Sequence, residues 1–245
     1  MLRRHLLALP RLALPSLALP RLALPSLILP SLATPPALAQ SAPAPIPVDV
    51  ALVLAVDASG SIGPEEFRLQ REGCAEAVTH PAVQAAIRGG ALGRVAIAMV
   101  EWGSPGGAAT VVPWQVVGSP AEAEALAGAF LAAPRSPQSW NAIGDAIDHA
   151  AALLAAAPVE AARQVIDVSG DGPDLRGLRP APLARDSAVE AGVVINALAI
   201  LRGRPDLAER YAREVIGGPG AFVQVAEGRG DFARALRAKL VREIA

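Results

Sequence analysis

Side chains rich in oxygen gather at three points of the chain. Asp57, Ser59 and Ser61 follow an apolar run in Asp57-Ala-Ser-Gly-Ser61, and Asp171 follows another in Ser169-Gly-Asp-Gly172. Asn141 stands after an irregular stretch, 134–140, at the start of a helical pattern. Together they offer two carboxylates, two hydroxyls and an amide oxygen, all hard donors, with no His or Cys required. That set suits Mg²⁺, or Ca²⁺ or Mn²⁺, rather than Zn²⁺ or Cu²⁺. The same residue types also cap helices and shape turns, and Asn141 is a strong N-cap type. Spacing alone therefore leaves a structural role open beside the metal one.

The choice turns on whether the fold brings the three points together. Residues 48–56 form a short apolar run of the kind that makes a strand buried on both faces. Pro64-Glu65-Glu66 opens a helix that Pro81 closes, with the proline early and acids in the first turn. Residues 94–102 read as a second strand, and Ser104-Pro-Gly-Gly107 turns it back into 110–117. Pro113 marks that last run as an edge strand, where a missing amide donor does no harm. Helical patterns follow at 121–132 and 141–157, then a strand at 163–168. Helix 184–191, strand 193–201, helix 206–216, strand 221–226 and helix 231–244 complete the alternation, with Gly217–Gly220 as a turn. The pattern predicts a doubly wound α/β domain: a mostly parallel sheet, helices on both faces, and one antiparallel edge strand. In such sheets ligands bind outside the carboxyl ends of the strands, where all three points are expected to open.

Charge and composition narrow the function further. The 245 residues carry a formal charge of −1, but residues 1–39 hold four arginines and no acid. The remaining 206 residues thus have 18 basic and 23 acidic groups, an acidic balance that argues against nucleic-acid binding. The basic start and the pentads LALPR LALPS LALPR LALPS LILPS lead to Ala37-Leu38-Ala39, small residues where a signal peptidase reads. Proline at every fifth position is incompatible with an unbroken membrane helix. The expected organisation is a signal peptide over 1–39, a Pro/Ala-rich linker over 40–47 and one domain over 48–245, exported to the periplasm or beyond, without a membrane span. The single cysteine excludes a disulfide framework and a Cys-based zinc cluster. Cys74 shares a helical stripe with Phe67 and Val78 and is expected in the core. Asp145, Asp148 and His149 read as a solvated helix face, as does the Arg-rich stretch 229–242. Trp102 and Trp140 adjoin the expected site, either as a contact rim or as packing.

Asp57-x-Ser59-x-Ser61 after the first strand resembles the opening of the metal-ion-dependent adhesion site (MIDAS) of von Willebrand factor type A (vWA) domains. Residues 139–147 are similar to that family's second loop, and Ile166-Asp-Val-Ser-Gly-Asp-Gly172 to its third. More narrowly, VEW, AIGDAI, IDVSGDGPD, VIGGPGAFV and KLVREIA resemble an uncharacterised group of exported bacterial vWA-like proteins. The resemblance implies that Ser59 and Ser61 ligate a metal through their hydroxyls. It also implies that Asp57 and Asp171 hold the metal directly or through water, with one position open for an acidic residue of a protein partner. Where the family has Thr, this chain has Asn141, whose amide oxygen is still able to ligate Mg²⁺.

Three functions then compete. The first is a metal-dependent binding module that is not an enzyme. The second is a metal-free scaffold with a degenerate site. The third is a Mg²⁺-dependent phosphatase with Asp57 as nucleophile, resembling the haloacid-dehalogenase-like enzymes. Those enzymes present a second Asp two residues on and a downstream Lys; here the second position is Ser59 and the only Lys is Lys239. No Walker A loop or Gly-x-Gly-x-x-Gly is present.

Overall fold

The apolar run after residue 45 becomes a central strand because both of its faces are covered. In the computed structural model, which describes residues 44–245, β1 spans Ile46–Asp57 and every residue from Val50 to Asp57 is buried. Val50, Leu52, Leu54 and Val56 face one core, and Ala51, Val53 and Ala55 face the other. The period-two alternation of the pleat makes that division. β1 begins two residues before the expected boundary at 48, since Ile46 and Pro47 already pair with Val159 and Glu160.

The elements that follow are α1 (Pro64–Thr79), α2 (Pro81–Gly89), β2 (Val95–Trp102), β3 (Ala109–Val117), α3 (Pro120–Ala132), α4 (Ile143–Ala155) and β4 (Val159–Gly170). They continue as α5 (Ala181–Glu190), β5 (Val194–Ile200), α6 (Leu207–Glu214), β6 (Val223–Ala226), a 3₁₀ turn (Arg229–Asp231) and α7 (Phe232–Ile244). The six strands lie in the order β3-β2-β1-β4-β5-β6. All neighbours are parallel except β2 and β3, whose hairpin forms the edge. The register slips around Met99, close to Pro113, so the proline falls where the ladder is already irregular. This is the doubly wound architecture expected from the sequence. Its connections leave β1 toward β2 on one side and return to β4 on the other, so a crevice opens between the ends of β1 and β4.

Two apolar layers clamp the sheet. One is built from α1, α2, α3 and α7, with Cys74, Leu126, Phe130, Phe232 and Leu236 in it. The other is built from α4, α5 and α6 around Trp102, Ile143, Ile147 and Tyr211. Cys74 is buried as expected, and burial pushes its thiol up to about 12. Among the described residues, no helix is long and apolar enough to cross a membrane. The proposed signal peptide and the first half of the linker lie outside the described residues.

Three local expectations need correction. Pro81 ends one helix but also opens another, α2, because its fixed φ suits a first turn and His80 Nδ1 accepts the Ala82 amide at 3.1 Å. Asp145 does not belong to a solvated face. It is buried, and its carboxylate accepts the amides of Gly106 (2.7 Å), Leu178 (3.1 Å) and Arg179 (3.2 Å), tying two loops to the start of α4. The nearby Asp148 and His149 are partly exposed, paired with Arg179 and Thr110. In the Arg-rich C-terminal stretch, Lys239 is fully buried, 2.8 Å from Asp167 and hydrogen-bonded to Glu243, which in turn accepts from Asn196. The four-residue spacing of Lys239 and Glu243 puts both on the helix face turned to the sheet.

Candidate metal centre

Asp57 is the last residue of β1, and the chain leaves the strand there with its backbone still tied down. Ala58 donates to the Trp102 carbonyl at 2.9 Å, and Gly60 to that of Ser139 at 2.7 Å. The Arg135 guanidinium reaches back to the carbonyls of Ala58 (3.0 Å), Ser59 (3.3 Å) and Ile62 (2.8 Å). One cation thus reaches three carbonyls of the turn, of which that of Ser59 also accepts the Ile62 amide at 3.0 Å. The result is a rigid loop presenting Ser59, buried, and Ser61, exposed.

The second loop, 133–142, is held by a buried charge. Glu101, on β2, pairs with Arg71 at 2.5 Å and accepts both the amide and the hydroxyl of Ser136 at 2.6 Å. Gln138 bridges to Ser104 and Gly107. The third loop leaves β4 at Gly170, and Tyr211 donates to the Gly172 carbonyl at 2.7 Å. Asp174 locks the second and third loops together: one oxygen accepts the Ile143 amide at 2.9 Å, the other the Ala181 amide at 3.0 Å. It therefore serves the first turns of both α4 and α5. The sequence assigns no supporting role to Asp174, Glu101 or Arg135, although Glu101 and Asp174 fall inside the stretches VEW and IDVSGDGPD. Asp174 was the most accessible of them, an Asp seven residues ahead of a helix start in a Pro/Gly-rich loop.

These supports bring the sequence-predicted residues to one edge of the sheet. Asp57 is fully buried; one of its oxygens accepts the Ser59 amide at 2.8 Å and the other the Asp171 amide at 3.4 Å. Burial pushes its carboxyl up to about 6, with hydrogen bonds from Ser59 opposing and the Asp171 charge adding to the rise. The Ser59 and Ser61 hydroxyls lie 3.1 Å apart, and Ser61 donates to Asp171 at 3.4 Å. Asp171 also forms an ion pair with Arg202, from the turn after β5. Asn141 approaches the third loop so closely that a Cβ on Gly172 would lie 2.2 Å from its Nδ2. A side chain there would require the Asn141 amide to turn aside. Asn141 is not the N-cap of α4: that position is Ala142, and Asp174 supplies the acceptor. Trp102 is core packing, donating to the Ala55 carbonyl at 3.0 Å, whereas Trp140 is 48% exposed with Arg176 stacked 4.3 Å over its ring.

The donors fit a hard divalent cation. Two carboxylates and two hydroxyls converge from separate loops, and Asp171 already draws a cationic side chain to itself. Among the described residues no three His, Cys, Asp or Glu side chains cluster as a metal group, so hydroxyls would have to complete the shell. A cavity of about 260 Å³ opens beside Ser61 and Asp171, walled on its other side by Arg202 and Arg204.

Solved structures share this fold. The pilus adhesin SpaC of Lactobacillus rhamnosus GG superposes with a TM-score of 0.58 at 17% identity, covering 80% of this chain and 30% of that one. Proximal thread matrix protein 1 from the mussel byssus, with a zinc-occupied MIDAS motif, gives 0.57 at 17% identity over 82% of this chain and 47% of that one. A von Willebrand factor type A protein from Catenulispora acidiphila gives 0.52 at 16% identity, covering 80% and 43%. This chain thus spans between 30% and 47% of the length of these three relatives. No curated protein sequence matches it. The family model described as protein of unknown function (DUF1194) matches residues 47–245, and the chain belongs to that family, on a vWA fold.

Proposed function

We propose that the domain is a metal-dependent protein-binding module. Ser59 and Ser61 hold a divalent cation, Mg²⁺ or else Ca²⁺ or Mn²⁺, through their hydroxyls, with Asp57, Asp171 and Asn141 acting directly or through water. When bound, the ion supplies an electrophilic position for an acidic residue of the partner. The chain's own residues do the rest: Arg135 fixes the first loop, Asp174 the other two, and two carboxylates balance the ion's charge. The observation that carries this reading is the continuous run of oxygens from Ser59 through Ser61 to Asp171, beside a buried Asp57. Zinc in the mussel protein's site makes Zn²⁺ a necessary comparison. Lys239, the only lysine, is committed to a buried cluster with Asp167 and Glu243, which disfavours a phosphatase that needs it beside Asp57. The leader over residues 1–39 would deliver the module outside the cytoplasm.

A ligand that binds only the folded state raises its stability, by about 2.7 kcal/mol at a hundredfold excess over Kd. Thermal unfolding in EDTA and in millimolar Mg²⁺, Ca²⁺, Mn²⁺ or Zn²⁺ is expected to show a rise for at least one ion. Ser59→Ala and Asp171→Asn should lose it. A metal-free scaffold is the second reading, favoured by the Arg202 ion pair that already neutralises Asp171. Identical unfolding in EDTA and in all four ions would establish it.

A further inference from the structure

The strand order places a fourth loop at the same edge. β5 lies next to β4, so the turn after Ile200 emerges beside Asp171. That turn carries two arginines, Arg202 and Arg204, and both wall the cavity that Ser61 and Asp171 close on the other side. Its backbone is unusual. Arg202 has φ +44°, alone among the described non-glycine residues in the left-handed region, and Gly203 follows at φ +79°. The Arg204 amide closes the turn onto the Leu201 carbonyl at 2.6 Å. A long side chain held in that conformation costs stability, and such strain concentrates at functional positions. Arg202 reaches Asp171 and lies 3.8 Å from Glu66, while an Arg204 nitrogen lies 3.8 Å from the point where a Gly172 Cβ would be.

We propose that Arg202 and Arg204 form an anion subsite beside the metal position, so that the module recognises two neighbouring carboxylates rather than one. This deepens the metal-dependent reading and rests on it. A divalent ion claims the charge of Asp57 and Asp171, and Arg202 then loses most of the attraction that holds it to Asp171. The two guanidiniums, one of them 3.8 Å from Glu66, then make that wall of the cavity positively charged. Guanidinium forks match carboxylates in planar, paired hydrogen bonds. One acid of the ligand goes to the metal and its neighbour to the arginines. Without metal, Arg202 rests on Asp171 and holds the site closed to anions.

The test uses the full chain with two blocked peptides, acetyl-Gly-Asp-Gly-amide and acetyl-Gly-Asp-Asp-Gly-amide, titrated calorimetrically in Mg²⁺ and in EDTA. In Mg²⁺ the diacid peptide should bind about tenfold tighter, the scale of one added charge-assisted contact. Arg204→Gln should erase that preference. Arg202→Gln should erase it too, and should tighten Mg²⁺ itself by removing a competing cation from Asp171. Arg202→Lys, which keeps the charge but not the fork, should retain part of the preference and guards against a folding defect in the glutamine variant. Equal affinity for the two peptides, or binding of neither to the Mg²⁺-loaded protein, overturns the arginine subsite. A diacid preference that persists in EDTA and vanishes in Arg204→Gln keeps the subsite and overturns the metal reading instead.

Discussion

Replacing Lys239 by Met tests how the sheet tolerates charge beneath β4. Lys239 is fully buried, 2.8 Å from Asp167, and bonded to Glu243, itself buried and braced by Asn196 at 2.9 Å. Met keeps the length and apolar stem but removes the cluster's cation, leaving two carboxylates facing each other out of water. Breaking a buried ion cluster from one side costs about 3–5 kcal/mol, because the remaining charge has no compensation. The loss should depend on pH. Burial already raises Glu243 from 4.5 to about 7, with Lys239 pulling it down and Asp167 pushing it up. A raised carboxyl binds protons better folded than unfolded, so its contribution is complete below 4.5 and is lost as pH rises through 7. Without Lys239 the pair must take up a proton to stay folded, at about 1.4 kcal/mol for each pH unit above the unfolded value. Urea unfolding at about pH 5.5 and pH 7.5, in EDTA throughout, should show the Lys239→Met deficit growing by about 1 kcal/mol. The variant loses about 2.7 kcal/mol over those two pH units, while the wild type loses about 1.8 as its own Glu243 ionises. The triple variant with Asp167→Asn and Glu243→Gln should recover most of the stability. A deficit below about 1 kcal/mol at pH 7.5, or one that does not change with pH, would refute the claim that the cluster is sealed from water.

Two further substitutions probe the loops. Gly172→Ala would place a Cβ 2.2 Å from Asn141 Nδ2 and make that amide turn aside, which should cost no more than about 1 kcal/mol in unfolding free energy because only the end of a side chain has to move; it should weaken Mg²⁺-induced stabilisation more than stability if Asn141 supports the ion. Asp174→Ala removes an acceptor from the first turns of both α4 and α5, and chemical denaturation should report a loss of about 1–2 kcal/mol for each cap removed; an unchanged midpoint would show that water replaces the carboxylate.

The alternation of apolar runs with helical patterns carried the fold, since most of β1 and the second half of β4 are buried on both faces and β3 is marked as the edge by Pro113. Asp57, Ser59, Ser61 and Asp171 were legible for the same reason: a strand end in a doubly wound sheet is a fixed address, and their spacing put them at two such addresses. Interactions between residues far apart in sequence were not legible. Asp145 and Lys239 sit on faces whose helical period looks solvated, because each buries its charge against partners that periodicity does not reveal: the backbone amides of two distant loops for one, Asp167 on β4 beneath α7 for the other. Arg202 was not legible either, although it stands two residues past the end of β5 as Asp171 stands one past the end of β4. Arginines after a strand have no metal-ligand pattern, and their meaning comes only from β5 lying beside β4.

The charges at the crevice explain why a cation belongs to this edge whichever reading survives. Asp57 is withdrawn from water at the end of a central strand, and Asp171 is held near enough to raise its carboxyl further. A fold that gained nothing from these acids would be more stable with neutral, well-packed side chains in their place. Three loops are instead secured by Arg135, Glu101 and Asp174 so that the two carboxylates and the Ser59 and Ser61 hydroxyls stay together. Arg202 neutralises only Asp171, from a backbone conformation that arginine rarely adopts. One guanidinium therefore offsets part of the repulsion, at a cost in strain, while a small divalent ion among the same oxygens would offset all of it. On the proposed reading, exchanging Arg202 for a metal draws on the difference between those two compensations, and the released arginine is then the group that turns toward a ligand.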